Sequence, residues 1–190
     1  MLGTKLVPIA TAALIAVGST VGVAAEQNSG GKAIQSEYAL KSAVSAFEKA
    51  KITIANAISI AERHGSGGKT IDVVFDLNEG APVYKVKTYQ NNAVWEGMID
   101  AQSGKVVGAG TTTPEDKLDQ EDKAELAGLQ KATMTLAQAI EAAEKYGTGK
   151  AMSAGLEETK GKIVYEVTVV KSGSVRKLVV DPNGGQIISG

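Results

Sequence analysis

Apolar residues recur at spacings of three and four in two short segments of this 190-residue chain. They are Ile54, Ala57, Ile58 and Ala61 in the first segment and Leu136, Ala139, Ile140 and Ala143 in the second. This spacing lines one face of an α-helix with apolar side chains. Thr53 and Thr135 stand at the N-cap positions, and Gly65 and Gly147 follow the last apolar turns. We therefore predict two short helices, each of which buries one apolar stripe.

After each helix the pattern changes to a period of two, which is typical of a strand with one buried face. The alternating positions are Ile71, Val73, Phe75 and Leu77 in the first half and Tyr165, Val167 and Val169 in the second. Segments rich in Gly, Asn, Pro and Ser interrupt the alternation at short intervals, as hairpin connections do. Each helix is therefore expected to pack on about three antiparallel strands.

The two halves are copies of one unit. Residues 52–65 align with 134–147, and residues 69–108 align with 150–189 without a further gap. Tyr84 falls on Tyr165, and Asp100 falls on Asp181. The match extends upstream, where Val44 and Phe47 fall on apolar positions of the second half, so each unit gains a leading helix. The predicted fold class is α+β, with two tandem repeats of a helix on a small antiparallel sheet.

The chain begins with the three-part pattern of a secretory signal peptide. Lys5 precedes an apolar stretch from residue 6 to residue 17, and small residues lead to a cleavage site between Ala25 and Glu26. A membrane anchor is the competing interpretation, but the stretch is shorter than the roughly 20 residues of a spanning helix and contains Pro8. We expect a periplasmic or secreted protein with no stable membrane insertion after cleavage.

These patterns divide the chain into five segments. The predicted segments are a signal peptide at 1–25, a flexible mature N-terminus at 26–36, a first unit at 37–108, a linker at 109–115 and a second unit at 116–190. The second unit begins with a run of acids between residues 115 and 125, interpreted as a solvated helix face or an acidic docking patch.

Composition and charge exclude several function classes. The net charge of −1 and the lack of a Lys or Arg run argue against nucleic-acid binding. The chain has no Cys, and His64 is its only His, so thiolate nucleophiles, His triads and His or Cys metal sites have no residues to form them. Asp100 and Asp181 each open a turn by bonding the backbone. We predict no catalytic, cofactor-binding or metal-binding residue, no cofactor, and no enzyme.

The sheet face opposite the matched tyrosines is only half polar in the predicted strands. Its residues are Val83, Lys85, Lys87 and Tyr89 in the first unit and Val164, Glu166, Thr168 and Val170 in the second. The other unit, a leading helix or a partner could each cover such a face. Trp95, which aligns with Arg176, is either a recognition anchor or a packing residue. The candidate partner-binding surface is Trp95, Tyr89, Val83, Val170 and Arg176.

Each unit resembles the PepSY domain family. The resemblance lies in the helix TLAQAIEAAEKYGTGK, the strands around KIVYEVTVV and the closing VDPNGGQII, with TIANAISIAERHGSGGK, APVYKVKTY and IDAQSGKVV in the first copy. It covers residues 52–189. The family occurs in the propeptides of thermolysin-like metalloproteases and in envelope proteins, so the resemblance implies a non-enzymatic domain that restrains or binds peptidases.

Two function hypotheses follow from the fold and the predicted export. The first is a binding module of the bacterial cell envelope that holds a protein or peptide partner, a protease among the candidates, through sheet edges or an exposed sheet face. The alternative is a structural or assembly subunit that self-associates into a homo-oligomer or decorates a larger extracytoplasmic complex.

Overall fold

A computed structural model describes residues 29–64, 67–159 and 161–190, with side chains from residue 36 onward except that of residue 121. The predicted signal peptide, the first residues of the predicted mature N-terminus and Gly65 lie outside the described residues. The first helix begins at Ser29, within the segment 26–36 that was predicted to be flexible. No helix among the described residues has the length and hydropathy that a membrane span needs.

The described residues form four α-helices, eight β-strands and one short 3-10 turn. The helices are α1 (Ser29–Phe47), α2 (Ile54–His64), α3 (Gln120–Lys131) and α4 (Leu136–Gly147), and the 3-10 turn is Glu115–Lys117. The strands are β1 (Lys69–Asn78), β2 (Ala81–Gln90), β3 (Ala93–Asp100), β4 (Val106–Pro114), β5 (Lys150–Thr159), β6 (Lys162–Lys171), β7 (Ser174–Val180) and β8 (Ile187–Ser189). The predicted α+β fold with two tandem repeats is confirmed.

All eight strands belong to one antiparallel sheet in the order β4-β3-β2-β1-β5-β6-β7-β8. The two repeats meet where β1 pairs with β5, and the central pair is Val73 with Ala154. These two residues are equivalent in the alignment of the repeats. The repeats are therefore related by an approximate two-fold axis through this pair, and the sheet is continuous from one repeat to the other.

Each repeat contributes four strands rather than about three. Strand β4 was not predicted because residues 106–114 read VVGAGTTTP, and an exposed edge strand needs no alternation of apolar side chains. It contains most of the segment 109–115 that was predicted to be a linker. The connection between the repeats is therefore part of the sheet and leads through the 3-10 turn directly into α3.

The core lies between the sheet and the apolar stripes of α2 and α4. Every apolar residue of the two predicted stripes is buried. Tyr84 and Tyr165 are fully buried at equivalent positions and donate hydrogen bonds to the backbone just before the two helices. The acceptor of the Tyr84 hydroxyl is Ile52 O at 2.8 Å, and that of the Tyr165 hydroxyl is Met134 O at 2.7 Å. Both tyrosines are therefore core residues, and each hydroxyl ties the sheet to the chain just before a helix.

The predicted N-caps are correct. The Thr135 hydroxyl accepts a hydrogen bond from Gln138 N while the Gln138 side chain accepts one from Thr135 N, which completes a capping box. Thr53 and Asn56 exchange the same two bonds before α2. Gly147, predicted to follow α4, is its last residue, and Thr148 occupies the left-handed C-cap position at φ 52°. Asp100 opens its turn by accepting from Gln102 N and Ser103 N, as expected.

Candidate functional site

The outer edge of β7 is only partly paired. Its inner edge pairs with β6 along the whole strand, whereas β8 pairs only with Val179 and Val180. Asp181 N donates to Gln186 O on the outer side, and backbone direction alternates along a strand. The N–H and C=O groups of Val175 and Lys177 therefore point outward, and no strand among the described residues pairs with them.

In the first repeat the same edge is covered by the chain itself. Val94 and Glu96, which correspond to Val175 and Lys177, pair with Thr113 and Thr111 of β4. An extended segment can therefore occupy this edge, because one does so in the equivalent unit. We call residues 174–177 the open edge.

A groove of about 430 Å³ lies beside the open edge, between the end of α4 and the β6–β7 hairpin. Its lining includes Tyr146, Thr148, Lys171, Ser174 and Arg176. The Arg176 guanidinium lies 5.3 Å from the centre of the Tyr146 ring, a cation–π distance, and the Tyr146 side chain is 55% exposed. Lys171 Nζ donates to Thr148 Oγ1 at 2.6 Å. The groove thus presents two cations and one aromatic ring next to unpaired backbone groups.

The equivalent place in the first repeat is filled. The Trp95 and His64 rings, which stand where Arg176 and Tyr146 stand, are 5.1 Å apart. Trp95 Nε1 donates to Ala109 O of β4 at 3.2 Å. A side chain at Gly110 would lie 2.5 Å from Trp95 Nε1, so the strand can cross the indole only with glycine at this position. Trp95 is therefore a packing residue, one of the two interpretations that the sequence left open.

The structure separates the other residues of the predicted binding surface. Val83 and Val170 are 2% and 4% exposed, so their side chains are not on the surface. Tyr89 is half-buried, and its hydroxyl donates to Glu115 Oε2 at 2.7 Å, which ties β2 to the 3-10 turn. Arg176 is exposed and lines the groove. Tyr146 and Lys171 were missed, and the signal that could have found them was the exchange of Trp95 for Arg176 between the repeats.

A second polar cluster lies inside the molecule, where α3 approaches β1 and β2. Lys87, on the half-polar face, is buried and donates to Asp122 Oδ1 at 3.1 Å. Asp72, Glu96 and Glu125 also interact with this lysine. Intramolecular cover by a leading helix, one of the alternatives from the sequence, therefore applies at Lys87. The solvated-face interpretation of the acidic run is wrong for Asp122, whose side chain is 11% exposed.

Burial dominates the ionisation of this cluster. Desolvation raises the pKa of Asp72 to about 7 and that of Glu125 to about 8, and it also raises the pKa of Glu96. Lys87 opposes these shifts, and its own pKa is raised by Asp122 and Glu125 against the effect of desolvation. One buried cation thus holds several carboxyl groups, and no group of three or more potential metal ligands among the described residues is arranged to hold a metal ion.

The fold and the open edge define a tandem α+β module whose two units share one sheet. In the second unit, part of a strand has no pairing strand among the described residues. Residues 51–109 and 133–190 match the PepSY family, described as peptidase propeptide and YPEB domain. The chain belongs to this family, whose domains are generally non-catalytic regulatory modules. No curated protein matches it. A crystal structure of a "putative lipoprotein" from Clostridium difficile 630 is similar, with 21% identity and a TM-score of 0.43 over 74% of this chain and 92% of that one.

Proposed function

We propose that this chain is a non-enzymatic, exported binding module of the bacterial cell envelope that holds an extended segment of a protein partner at the open edge of β7. A peptidase is the favoured partner, since the family takes its name from peptidase propeptides. The N-terminal pattern of a signal peptide supports export to the periplasm or the medium.

The observation that carries the proposal is the difference between β3 and β7. Unpaired backbone groups on a sheet edge are a template for another strand, and strand addition is a common mode of peptide recognition. Four backbone groups of β7, the N–H and C=O of Val175 and Lys177, point outward. They occupy the positions at which Val94 and Glu96 bond β4 in the first repeat. The second repeat therefore has an acceptor site for a strand.

The outer edge of β4 is poorly suited to pairing, which disfavours self-assembly in which the open edge of one copy pairs with the β4 edge of the next. Strand β4 places Gly108, Ala109 and Gly110 opposite Gly97 of β3, and both of these β4 glycines have positive φ. Such a bulge breaks the regular spacing of the outward groups, and Pro114 removes a donor at the end of the strand. A defined oligomer of the mature protein in light scattering would restore that alternative.

A direct test uses a synthetic peptide with the sequence of residues 106–114, VVGAGTTTP, as a probe of the open edge. In the register of β4 its last four residues, TTTP, would occupy this edge, whereas β8 holds the places that correspond to its two valines. Titration into the ¹⁵N-labelled mature protein should shift the amide signals of residues 174–178 more than those of residues 106–114. Unchanged signals along β7 at millimolar peptide would contradict strand addition at this edge.

A pair of matched proline variants separates the two edges. Val175→Pro removes an outward N–H from β7, whereas Thr112→Pro removes one from the outer side of β4, and neither N–H bonds within the sheet. We expect Val175→Pro to abolish peptide binding and the recovery of peptidases from culture fluid, and Thr112→Pro to leave both unchanged. Equal binding by the two variants would overturn the proposal, and circular dichroism checks that both are folded.

A further inference from the structure

The side chains beside the open edge carry positive charge. Lys171 and Arg176 line the groove beside it, and no carboxylate is among the lining residues. Glu48 Oε1 accepts from Gly173 N at 2.9 Å, so this carboxylate is bonded to the backbone of the hairpin turn. On the opposite face of β7, Lys177 is paired with Glu166 at 2.6 Å. The unpaired positive charge at the edge therefore lies on the groove side.

The first repeat shows which residue of an added strand would face this charge. Trp95 lies directly opposite Thr112 in the pairing of β3 with β4. Directly opposed residues share a face of the sheet, with Cβ atoms about 4.5–5.5 Å apart. Since Arg176 corresponds to Trp95, the side chain at the position of Thr112 in a bound strand would lie next to the guanidinium. Its two neighbours in the strand would point to the other face.

We infer that the open edge binds an extended peptide that carries an acidic side chain, Asp or Glu, opposite Arg176. The inference rests on the proposed strand addition and names the partner's chemistry. Tyr146 lies against the guanidinium, and Gly190 lies beside it, since a Cβ at that glycine would be 3.3 Å from Arg176 Nη2. No carboxylate of a described side chain pairs with the guanidinium, and a carboxylate is the group that its N–H donors bind best. Lys171, fixed on Thr148, adds a second positive charge at the same groove. A strand with a basic residue at this position would bring like charges together.

The experiment compares four peptides on the mature protein at low salt: VVGAGTTTP, VVGAGTETP, VVGAGTKTP and VVGAGTTEP. The second and third place Glu or Lys opposite Arg176, and the fourth moves Glu to the opposite face. We expect VVGAGTETP to bind about three- to fivefold more tightly than VVGAGTTTP, which is the scale of one exposed ion pair. VVGAGTKTP should bind more weakly, and VVGAGTTEP should gain less than half of the improvement.

The variant Arg176→Gln keeps the backbone edge and removes the charge. It should bind VVGAGTTTP as the parent protein does and lose the preference for VVGAGTETP, while Lys177→Gln keeps that preference. Equal affinity of the parent for all four peptides, with shifts along β7, would overturn the acidic preference and leave strand addition intact. Absence of binding by any peptide would instead overturn strand addition, so the two failures are distinguishable.

Discussion

In the first repeat Trp95 lies against β4 and Lys87 is buried beneath α3, whereas in the second repeat Arg176 is exposed and Thr168 stands where the lysine would be. The matched core residues of the two repeats, by contrast, have the same burial and the same bonds. Tyr84 and Tyr165 are buried to the same degree and bond equivalent carbonyl groups. The comparison shows that the shared core specifies the fold of each unit, while the periphery decides whether a unit's edge is closed or open.

The interior offers the sharpest test of equivalence between the repeats. Tyr84→Ala and Tyr165→Ala should each lower the free energy of unfolding by about 4 kcal/mol, because each removes a fully buried ring. The matched Tyr→Phe variants, which lose only the hydroxyl bond, should cost about 1 kcal/mol. Urea denaturation measures both pairs. If one Tyr→Ala variant cost less than about 1 kcal/mol and its counterpart the full amount, the cores would not be equivalent.

Substitution of the buried Lys87 should lower the free energy of unfolding more than substitution of its counterpart in the second repeat. Lys87→Met leaves the surrounding carboxyl groups without their cation, and we expect a loss of about 3 kcal/mol at pH 7.5 in the same denaturation experiment. Thr168→Val, at the equivalent position in the second repeat, should change stability by less than about 1 kcal/mol. Adding Asp122→Leu to Lys87→Met should recover part of the loss, since it removes the partner carboxylate. A cost for Thr168→Val as large as that for Lys87→Met would contradict this asymmetry.

The same cluster predicts how stability depends on pH. Burial raises the pKa of Asp72 to about 7 and that of Glu125 to about 8, above their ordinary values of 3.8 and 4.5. The folded protein therefore binds these two protons more tightly than the unfolded chain does, and stability falls as pH rises through the raised pKa values. Lys87 limits the shifts, while Asp72, Asp122 and Glu157 reinforce that of Glu125.

We accordingly expect the free energy of unfolding to be on the order of 2 kcal/mol higher at pH 6 than at pH 8.5. The double variant Asp72→Asn with Glu125→Gln should flatten this dependence, because neither amide titrates. Urea denaturation at a series of pH values measures the slope. A parent protein whose stability rises from pH 6 to pH 8.5 would show that these carboxyl groups are ionised in the fold.

Much of the fold could be predicted from the sequence because the hydrophobic pattern, the caps and the turns of each repeat all indicate the same structure. The helical stripes, the alternating strands and the caps depend on side chains close in the chain, and their duplication confirmed each pattern. Strand β4 was not accessible, since its position depends on pairing with β3, and glycine and threonine carry no periodic signal. The pairing of Val73 with Ala154, which joins the repeats into one sheet, likewise depends on contacts distant in sequence.

The candidate site was only partly accessible for a related reason. The exchange of Trp95 for Arg176 marked the position at which the two edges differ, but whether an edge is open depends on which strand covers it. Val83 and Val170 were included because a strand's alternation assigns a face without showing what lies over that face. The acidic run was interpreted as a solvated helix face or a docking patch because charged side chains are ordinarily exposed, and the burial of Asp122 against Lys87 contradicts the first interpretation at that residue.

The smallest expected difference concerns the helix caps. Thr53→Ala and Thr135→Ala each remove a hydroxyl that accepts from the third residue of the following segment, and each should cost about 1 kcal/mol. The reciprocal bond is shorter at the second helix, where Thr135 N donates to Gln138 Oε1 at 2.8 Å, than at the first, where Thr53 N donates to Asn56 Oδ1 at 3.4 Å. Thr135→Ala should therefore cost slightly more in urea denaturation. Thr→Ser variants, which keep the acceptor, should be nearly neutral at both sites, and equal losses for Ser and Ala would show that the methyl group rather than the cap stabilises these helices.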